Sequence, residues 1–507
     1  MPNPPGGTSP YMAWRMLKAA AQLPPPALPA GRRSFGCPKM AESASLYCGG
    51  QSLLGSVREL PDLAARLVKP VQAGAEGEMP AGYTYLGQLL AHDLCTPTEG
   101  EFDYALSDPA PELTRTTVTQ AERTHPLHLE SLFGPVSADL SLPDLHRFPP
   151  APLFYPYFTA DITRRKPASG LGRTLGALPD TRNDDNPMIA QLSALFIAHA
   201  AAVTTRLAAR GHSPADSLRG AKTATVRMWH GLLLRDLLPR LALPALADTP
   251  ADLGPPGAAE IPVEVMAAIL RAGHWLVRSQ YRLNVNTVPV RLLLRGDPDI
   301  AALRARPGAE NFWRIDWRNF FDLDLLSPPQ KAMRMEGGLA AMFGSDFGLP
   351  DAMEIHSSLV TSDNDLALRD LARSTDGGLQ SVSSLATRLA PALRSRFPDW
   401  LLWDGPARAK LISDWCNACG HLAPPHLAAD PPLYLYTLLE AGRGPATQGF
   451  GDGLRLGALG SALLWGAIRA AVETAEAALT DAPVDPDMPD IPDMPSLIRF
   501  LTLNSGV

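Results

Sequence analysis

Three short segments of this chain carry side chains that can exchange protons or bind a metal. In the first, Tyr83–Cys95 (YTYLGQLLAHDLC), Gln88 and His92 are four residues apart and therefore share one face of a helix. Asp93 lies about 100° further round and faces elsewhere. A lone histidine in an apolar run is usually a core residue. Here Gln, His and Asp stand together beside Gly87, which favours a functional site.

The second segment, Leu178–Met188 (LPDTRNDDNPM), holds an arginine just ahead of a predicted helix. Pro187 suits the first helical turn, and Asp185 or Asn186 suits the N-cap. Arg182 then lies in the loop before that helix. Taken alone, it would be interpreted as a solvated loop arginine.

The third segment, Val263–Asn284 (VEVMAAILRAGHWLVRSQYRLN), contains a histidine on an apolar stripe. The stripe consists of residues at helical spacing, namely Val263, Met266, Leu270, His274 and Val277. This spacing predicts that His274 lies on a buried face, close to Arg271, where Gly273 would let a flat ligand approach. A buried neutral imidazole on a helix is the ordinary ligand of haem iron, although a core histidine would show the same pattern.

Long Ala/Leu-rich segments with helical periodicity supply the elements that would position these residues. They are separated by Pro/Gly connections and comprise Pro187–Arg210, Lys222–Leu243, Val263–Tyr281, Pro328–Phe343, Leu433–Glu440 and Leu454–Glu473. Strand-like alternation is scarce, and Thr287–Leu294 is its best candidate. We therefore predict a mainly α fold with minimal β. It comprises a single large helical domain over residues 79–475, a Gly/Pro-rich N-terminal arm over 1–78 and a Pro/Asp-rich C-terminal tail over 476–507.

Composition narrows the class of protein further. The 507 residues are 46% hydrophobic and 19% charged, as in folded proteins. The net charge of −7, with both signs interspersed, disfavours nucleic acid or an anionic membrane as the main partner. No run approaches the ~18 apolar residues of a membrane helix and no signal peptide is readable. We therefore expect a cytoplasmic protein without a membrane span, with export left open. Five cysteines are too few for a disulfide framework.

Together, and in this order, the three segments resemble motifs of the animal-type haem peroxidases, the family of myeloperoxidase within the peroxidase–cyclooxygenase superfamily, in their bacterial branch. PAGYTYLGQLLAHDL resembles their distal-site segment, PDTRNDDNP the segment of their distal arginine, and RAGHWLVRSQYRLN the segment of their proximal histidine. The motifs LHLESLFG and LGALG add to a resemblance that spans roughly residues 79–475. It implies a helical peroxidase domain with haem b between central helices.

The resemblance also implies a role for each site residue. His92 would be the general base that takes a proton from hydrogen peroxide, Arg182 the cation that stabilises developing charge, and Gln88 the group that orders the peroxide. His274 would be the axial iron ligand. Asp370 stands where the family has an Asn bonded to that histidine, which would give His274 imidazolate character. The implied function is reduction of hydrogen peroxide with oxidation of an unidentified small organic or halide donor, in a response to oxidative stress.

Several positions depart from the family pattern. Ala91 replaces the Asp that precedes the distal histidine, and Asp185 replaces the longer Glu that follows the distal arginine. We therefore expect at most one ester link between haem and protein. A calcium site would use Asp93 and Thr124, but His128 replaces a carboxylate of that loop, and calcium prefers hard oxygen donors.

Two alternatives stay open. A fatty-acid dioxygenase of the cyclooxygenase kind would need a radical-forming Tyr where this chain has Arg271, a residue that we expect beside the haem. A non-catalytic haem-binding or interaction protein of the same fold is favoured by the missing carboxylate and the altered calcium loop. Elsewhere, Cys416 and Cys419 are interpreted as small thiols on a helix and not as zinc ligands, and Glu440 and Glu473 as solvated helix charges.

Overall fold

In the computed structural model the chain forms a series of helices, and capping residues mark the start of several of them. The structure describes residues 76–94, 126–134, 141–148, 157–165, 175–247, 261–290, 293, 310–324, 327–335, 370–371, 374, 379–396, 404–418, 422–444, 451–479 and 481–504. The fold is mainly α, as predicted. The α-helices in this part of the chain are α1 (Gly82–Leu94), α2 (Glu130–Phe133), α3 (Pro187–Ala209), α4 (Pro214–Leu232), α5 (Leu238–Leu241), α6 (Glu310–Trp313), α7 (Val382–Arg396), α8 (Gly405–Ala418), α9 (Pro425–Ala429), α10 (Leu433–Arg443), α11 (Ala458–Ala478) and α12 (Met494–Leu503).

The strands are short and pair two by two in antiparallel ribbons. The four pairs are β1 (Glu76–Pro80) with β8 (Lys331–Met333), β2 (Leu145–Arg147) with β3 (Ala160–Ile162), β4 (Arg164–Arg165) with β5 (Leu175–Gly176), and β6 (Gln280–Arg282) with β7 (Thr287–Pro289). The predicted strand at Thr287–Leu294 is confirmed in its first three residues. The N-terminal arm, up to residue 75, lies outside the described residues.

Helix α3 is the central element of the core. Asn186 is its N-cap, since the Asn186 side chain accepts a hydrogen bond from the Ile189 amide (3.0 Å), and Pro187 occupies the first turn, where a missing N–H costs nothing. Helices α1, α4 and α12 pack against it. By length and composition α3 could cross a membrane, so the expectation that no segment approaches this limit is wrong. Of its most apolar window, 78% is buried inside the protein.

Two predicted helices are wrong in detail. Within Pro328–Phe343, residues Lys331–Met333 form strand β8, because their backbone groups pair with β1; residues 336–343 lie outside the described part. Within Val263–Tyr281, a π-helical turn at Val265–Ile269 is followed by a 3₁₀ helix at Leu270–Leu276. The helix ends there because Val277 adopts an extended backbone (φ −74°, ψ 131°) that leads into β6.

Ion pairs join the C-terminal Asp/Pro-rich segment to the end of α3 and to the π-helical turn Leu233–Leu237 that follows α4. The Asp485 carboxylate, fully buried, pairs with Arg206 (2.5 Å) and Arg210 (2.8 Å), and Asp490 pairs with Arg235 (2.8 Å). Helix α12 follows and packs on α3. The segment that the sequence sets apart as a tail is therefore joined to the core by both charge and apolar contact.

Candidate functional site

Helix α1 presents one face that its neighbours do not fully cover. Gly87, Gln88 and Ala91 are partly exposed, whereas the remaining residues of the helix are buried. His92 follows on the same face with 8% of its surface exposed. The polar residues of the first motif are thus directed toward a space that solvent reaches, at the edge of the core.

The His92 ring is held by a buried amide. Its Nδ1 lies 2.9 Å from Oδ1 of Asn183, and Nδ2 of Asn183 donates to the Ser131 carbonyl oxygen (3.3 Å). The amide is oriented by this second bond, so its oxygen faces the ring. A carbonyl oxygen only accepts, and His92 therefore carries its proton on Nδ1 when neutral, which leaves Nε2 as the basic nitrogen.

Arg182 lies beside His92 on a 3₁₀ helix, Thr181–Asp184. Its Nη2 donates to the backbone oxygen of His92 (3.2 Å). The same guanidinium donates through Nε and Nη2 to both oxygens of Asp180 (3.1 and 2.7 Å), and its side chain is 22% exposed. The predicted cation is therefore adjacent to the predicted base, with Asp180 balancing part of its charge.

Gln88 and Asp185 are the other two predicted residues on the segments that carry His92 and Arg182. Nδ2 of Asn186 donates to Oε1 of Gln88 (3.3 Å), so the Gln88 oxygen is bonded and its NH₂ is the group that can donate to a ligand. Asp185 is partly exposed and directly follows the 3₁₀ helix. The structure thus brings together Gln88, His92 and Arg182, from two segments about ninety residues apart, and Asp185 lies on the second of these segments.

His274, Arg271 and Asp370 form a second group. Nδ1 of His274 lies 2.7 Å from one Asp370 oxygen, and Nη1 of Arg271 donates to the other (3.0 Å). Burial raises the pKa of the Asp370 carboxyl, but His274 and Arg271 outweigh it and hold that pKa below its ordinary value. The Tyr434 hydroxyl bonds to the same carboxylate and accepts from Nε1 of Trp275 (2.8 Å).

Of the predicted apolar stripe around His274, Val263 is buried as predicted and the other four residues are not. Met266, Leu270, His274 and Val277 are all partly exposed, and the side chain of His274 is 28% exposed. The face that packs into the core is instead the other one, formed by Ala267, Ala268, Ala272, Trp275 and Leu276. The prediction fails because an apolar stripe shows which face avoids water but not what covers it.

These residues fit a flat apolar ligand with a metal at its centre. A Cβ built on Gly273 meets no atom within 4 Å in the described part of the chain, so the backbone beside His274 is open to close approach. With Nδ1 donating to Asp370, Nε2 of His274 has the lone pair that an iron ion requires. Helix α1 contacts the 3₁₀ helix that carries His274, so both groups of residues lie on adjoining elements.

Asp93 faces away from this site, as its helical position predicts. Its Oδ2 accepts from the Leu129 amide (3.0 Å) and from Nε1 of Trp229 (3.2 Å), and its Oδ1 accepts from the Ser131 hydroxyl (3.3 Å). Leu129 has a left-handed backbone (φ 53°), a strained conformation that these bonds support. Thr124 lies outside the described residues, and in those described no cluster of three or more His, Cys, Asp or Glu could hold a metal ion. The calcium site stays a prediction.

Sequence reasoning missed or misjudged several residues. Asn183 stood in the motif beside Arg182, so its position was a usable signal, whereas nothing in the sequence marked Tyr434. Glu440 is wrong as a solvated charge, because its carboxylate is 1% exposed and accepts hydrogen bonds at the N-terminus of α11. Glu473 is exposed as predicted. Cys416 is a buried free thiol on α8, and Cys419 lies outside the described residues.

No protein-family model and no curated protein matches this sequence. Among solved structures, the chain is similar to peroxidase A from Dictyostelium discoideum. The identity is 11%, the TM-score is 0.49, and the alignment covers 93% of each chain. Similarity at this level leaves the function to be argued from the side chains themselves.

Proposed function

We propose that this protein is a haem-dependent peroxidase of the animal type, in its bacterial branch, that reduces hydrogen peroxide and oxidises a small organic or halide donor. The observation that carries the proposal is the 2.7 Å contact between His274 Nδ1 and Asp370, on a partly exposed apolar face beside Gly273. This is the arrangement in which a histidine ligates haem iron and a carboxylate fixes its orientation. The order of the three motifs supports the same function.

In this proposal Nε2 of His274 would hold haem b, with Leu270, Val277 and Arg271 as its neighbours on this chain. When bound, the haem would supply the iron and the electrons that peroxide cleavage requires. Nε2 of His92 accepts a proton from one peroxide oxygen and returns it to the other as water leaves. The hydrogen bond from Nδ1 to Asn183 places the proton on Nδ1 and the lone pair on Nε2, the tautomer that this step requires.

Arg182 and Gln88 act on the peroxide without exchanging protons. The Gln88 NH₂ donates to a peroxide oxygen, because its carbonyl is engaged by Asn186. Arg182 stabilises negative charge as the O–O bond breaks. Its pairing with Asp180 reduces that effect but fixes the guanidinium beside His92. Asp185 is a methylene shorter than the family's glutamate, and we propose that it forms no ester with the haem.

The experiment is stopped-flow mixing of the haem-loaded protein with peroxide, followed by haem absorption. We compare wild type with His92→Ala, Arg182→Ala and the double variant, and use His212→Ala, an exposed histidine, as the matched control. Loss of the base should slow the reaction about 10²–10⁴-fold and loss of the cation about 10²–10³-fold. The double variant should lose less than the product of the single effects, and the control should react like wild type.

A non-catalytic haem-binding protein is the second candidate, and the ion pair between Arg182 and Asp180 favours it because it balances the charge that catalysis would use. The two functions separate in the same experiment. Haem binding with no absorption change on adding peroxide, or a His92→Ala variant that reacts at the wild-type rate, would establish the second candidate in place of the first.

A further inference from the structure

Asn183 is a fully buried polar residue on the 3₁₀ helix that also carries Arg182. Both ends of its amide are bonded: Oδ1 to Nδ1 of His92 (2.9 Å) and Nδ2 to the Ser131 carbonyl oxygen (3.3 Å). Turning the amide over would place its carbonyl oxygen against the Ser131 carbonyl oxygen, and neither group can donate. The observed orientation is therefore the one that satisfies all groups.

We infer that Asn183 is a positioning residue that selects the tautomer of His92, and that the Ser131 carbonyl oxygen of α2 fixes Asn183 in turn. The inference rests on the proposed function for its catalytic consequence, while the tautomer itself is a property of the folded protein. A neutral histidine exists as either of two N–H tautomers, and a hydrogen bond to one nitrogen decides which nitrogen is basic. Here the bond places the proton on Nδ1 and the lone pair on Nε2.

The support for Asn183 extends through Ser131 to Asp93. The Ser131 hydroxyl donates to Asp93 (3.3 Å), and the amide of Leu129, the N-cap of α2, donates to Asp93 as well (3.0 Å). Asp93 follows His92 directly on α1, so one turn of helix α1 holds both the histidine and the start of α2, which orients the histidine's partner.

A first measurement tests the tautomer without any catalytic assay. Protein labelled with ¹⁵N at its histidines is studied as the reduced carbon monoxide complex, which is diamagnetic, or as purified if it carries no haem. One-bond and two-bond couplings to the ring nitrogens distinguish the two tautomers, and His92→Gln identifies the signal among the 11 histidines. We expect protonated Nδ1 and unprotonated Nε2. Protonated Nε2, or a mixture of tautomers, in the neutral ring overturns the inference.

Two substitutions then test whether Asn183 is the cause. Asn183→Leu removes the acceptor at similar volume and should move the proton to Nε2, with the peroxide rate falling about 10²–10⁴-fold, as for loss of a general base. Asn183→Asp keeps an acceptor for Nδ1 and should keep the proton on that nitrogen. An unchanged tautomer in Asn183→Leu makes Asn183 a packing residue and overturns the inference.

The outcomes also separate this inference from the proposed function. If wild type shows the predicted tautomer but no reaction with peroxide, the peroxidase proposal fails while the structural part of the inference stands. If wild type reacts but shows the other tautomer, the inference fails alone. Should Asn183→Leu not fold, judged by far-ultraviolet circular dichroism, the wild-type spectrum and the Asn183→Asp variant still decide.

Discussion

The buried carboxylate of Glu440 predicts a pH dependence of stability that can be worked out from its surroundings. Both of its oxygens accept from the Leu459 amide (3.1 Å each), one accepts from Gly460 (3.4 Å), and the Tyr436 hydroxyl contacts the other (3.2 Å). Burial raises the pKa of this carboxyl from 4.5 to about 7, against the lowering effect of those hydrogen bonds. A carboxyl with a raised pKa binds its proton more tightly in the folded state.

The sign follows from proton linkage. Between pH 4.5 and 7 the folded state keeps a proton that the unfolded chain has released, so stability falls as pH rises. The contribution is fully present below the unfolded pKa and is lost as pH passes through the folded value of about 7. At 1.36 kcal/mol for each pKa step, the rise corresponds to roughly 3 kcal/mol.

The perturbation is Glu440→Gln, which keeps the shape and cannot ionise, and the control is Glu473→Gln, at an exposed position on α11. Urea unfolding, followed by far-ultraviolet circular dichroism from pH 4.5 to 8, gives the free energy of unfolding for each protein. Relative to Glu440→Gln, wild type should lose roughly 3 kcal/mol over this range, and the control should follow wild type. Parallel curves for wild type and Glu440→Gln would refute the reasoning.

Four further predictions concern the site and the core. Asp370→Asn keeps an acceptor for its histidine but removes the charge, so haem should stay bound with a higher midpoint potential in spectroelectrochemistry. Because Ala91 cannot form an ester and Asp185 is short, acid and organic solvent should extract the haem, and haem retained on the denatured chain would contradict this. Burial lowers the pKa of His199 to about 4, so its contribution to the free energy of unfolding is fully present above pH 6.5 and is lost as pH falls through 4. This loss is roughly 3 kcal/mol, and His199→Leu should remove it in the same unfolding assay. Arg164→Met removes the one guanidinium that pairs with both Asp161 and Asp184, two buried carboxylates, and should destabilise the fold by about 3–5 kcal/mol in urea unfolding; a loss below 1 kcal/mol would contradict that reasoning.

Local sequence signals predicted the elements that depend on local chemistry. The Asn-Pro pair at 186–187 and the apolar run that follows gave the start of α3 to the residue, because an N-cap and a first-turn proline act within one turn. The strand at Lys331–Met333 could not be predicted this way, because its hydrogen bonds depend on β1, some 250 residues earlier in the chain. Glu440 was misjudged for the same reason: the backbone amides that bond to it belong to the next helix, α11, some twenty residues later in the chain.

The stripe around His274 shows a limit of a different kind. Apolar residues at helical spacing predict a face that avoids water, and the sequence was interpreted as burying that face against protein. In the structure Val263 is buried, whereas Met266, Leu270, His274 and Val277 are partly exposed at the edge of the core, and the opposite face packs fully into it. Apolar side chains that keep part of their surface in water gain free energy when an apolar ligand covers them. The partly covered stripe, beside a histidine whose Nδ1 is fixed by a buried carboxylate, is therefore consistent with the apolar ligand that we propose at His274.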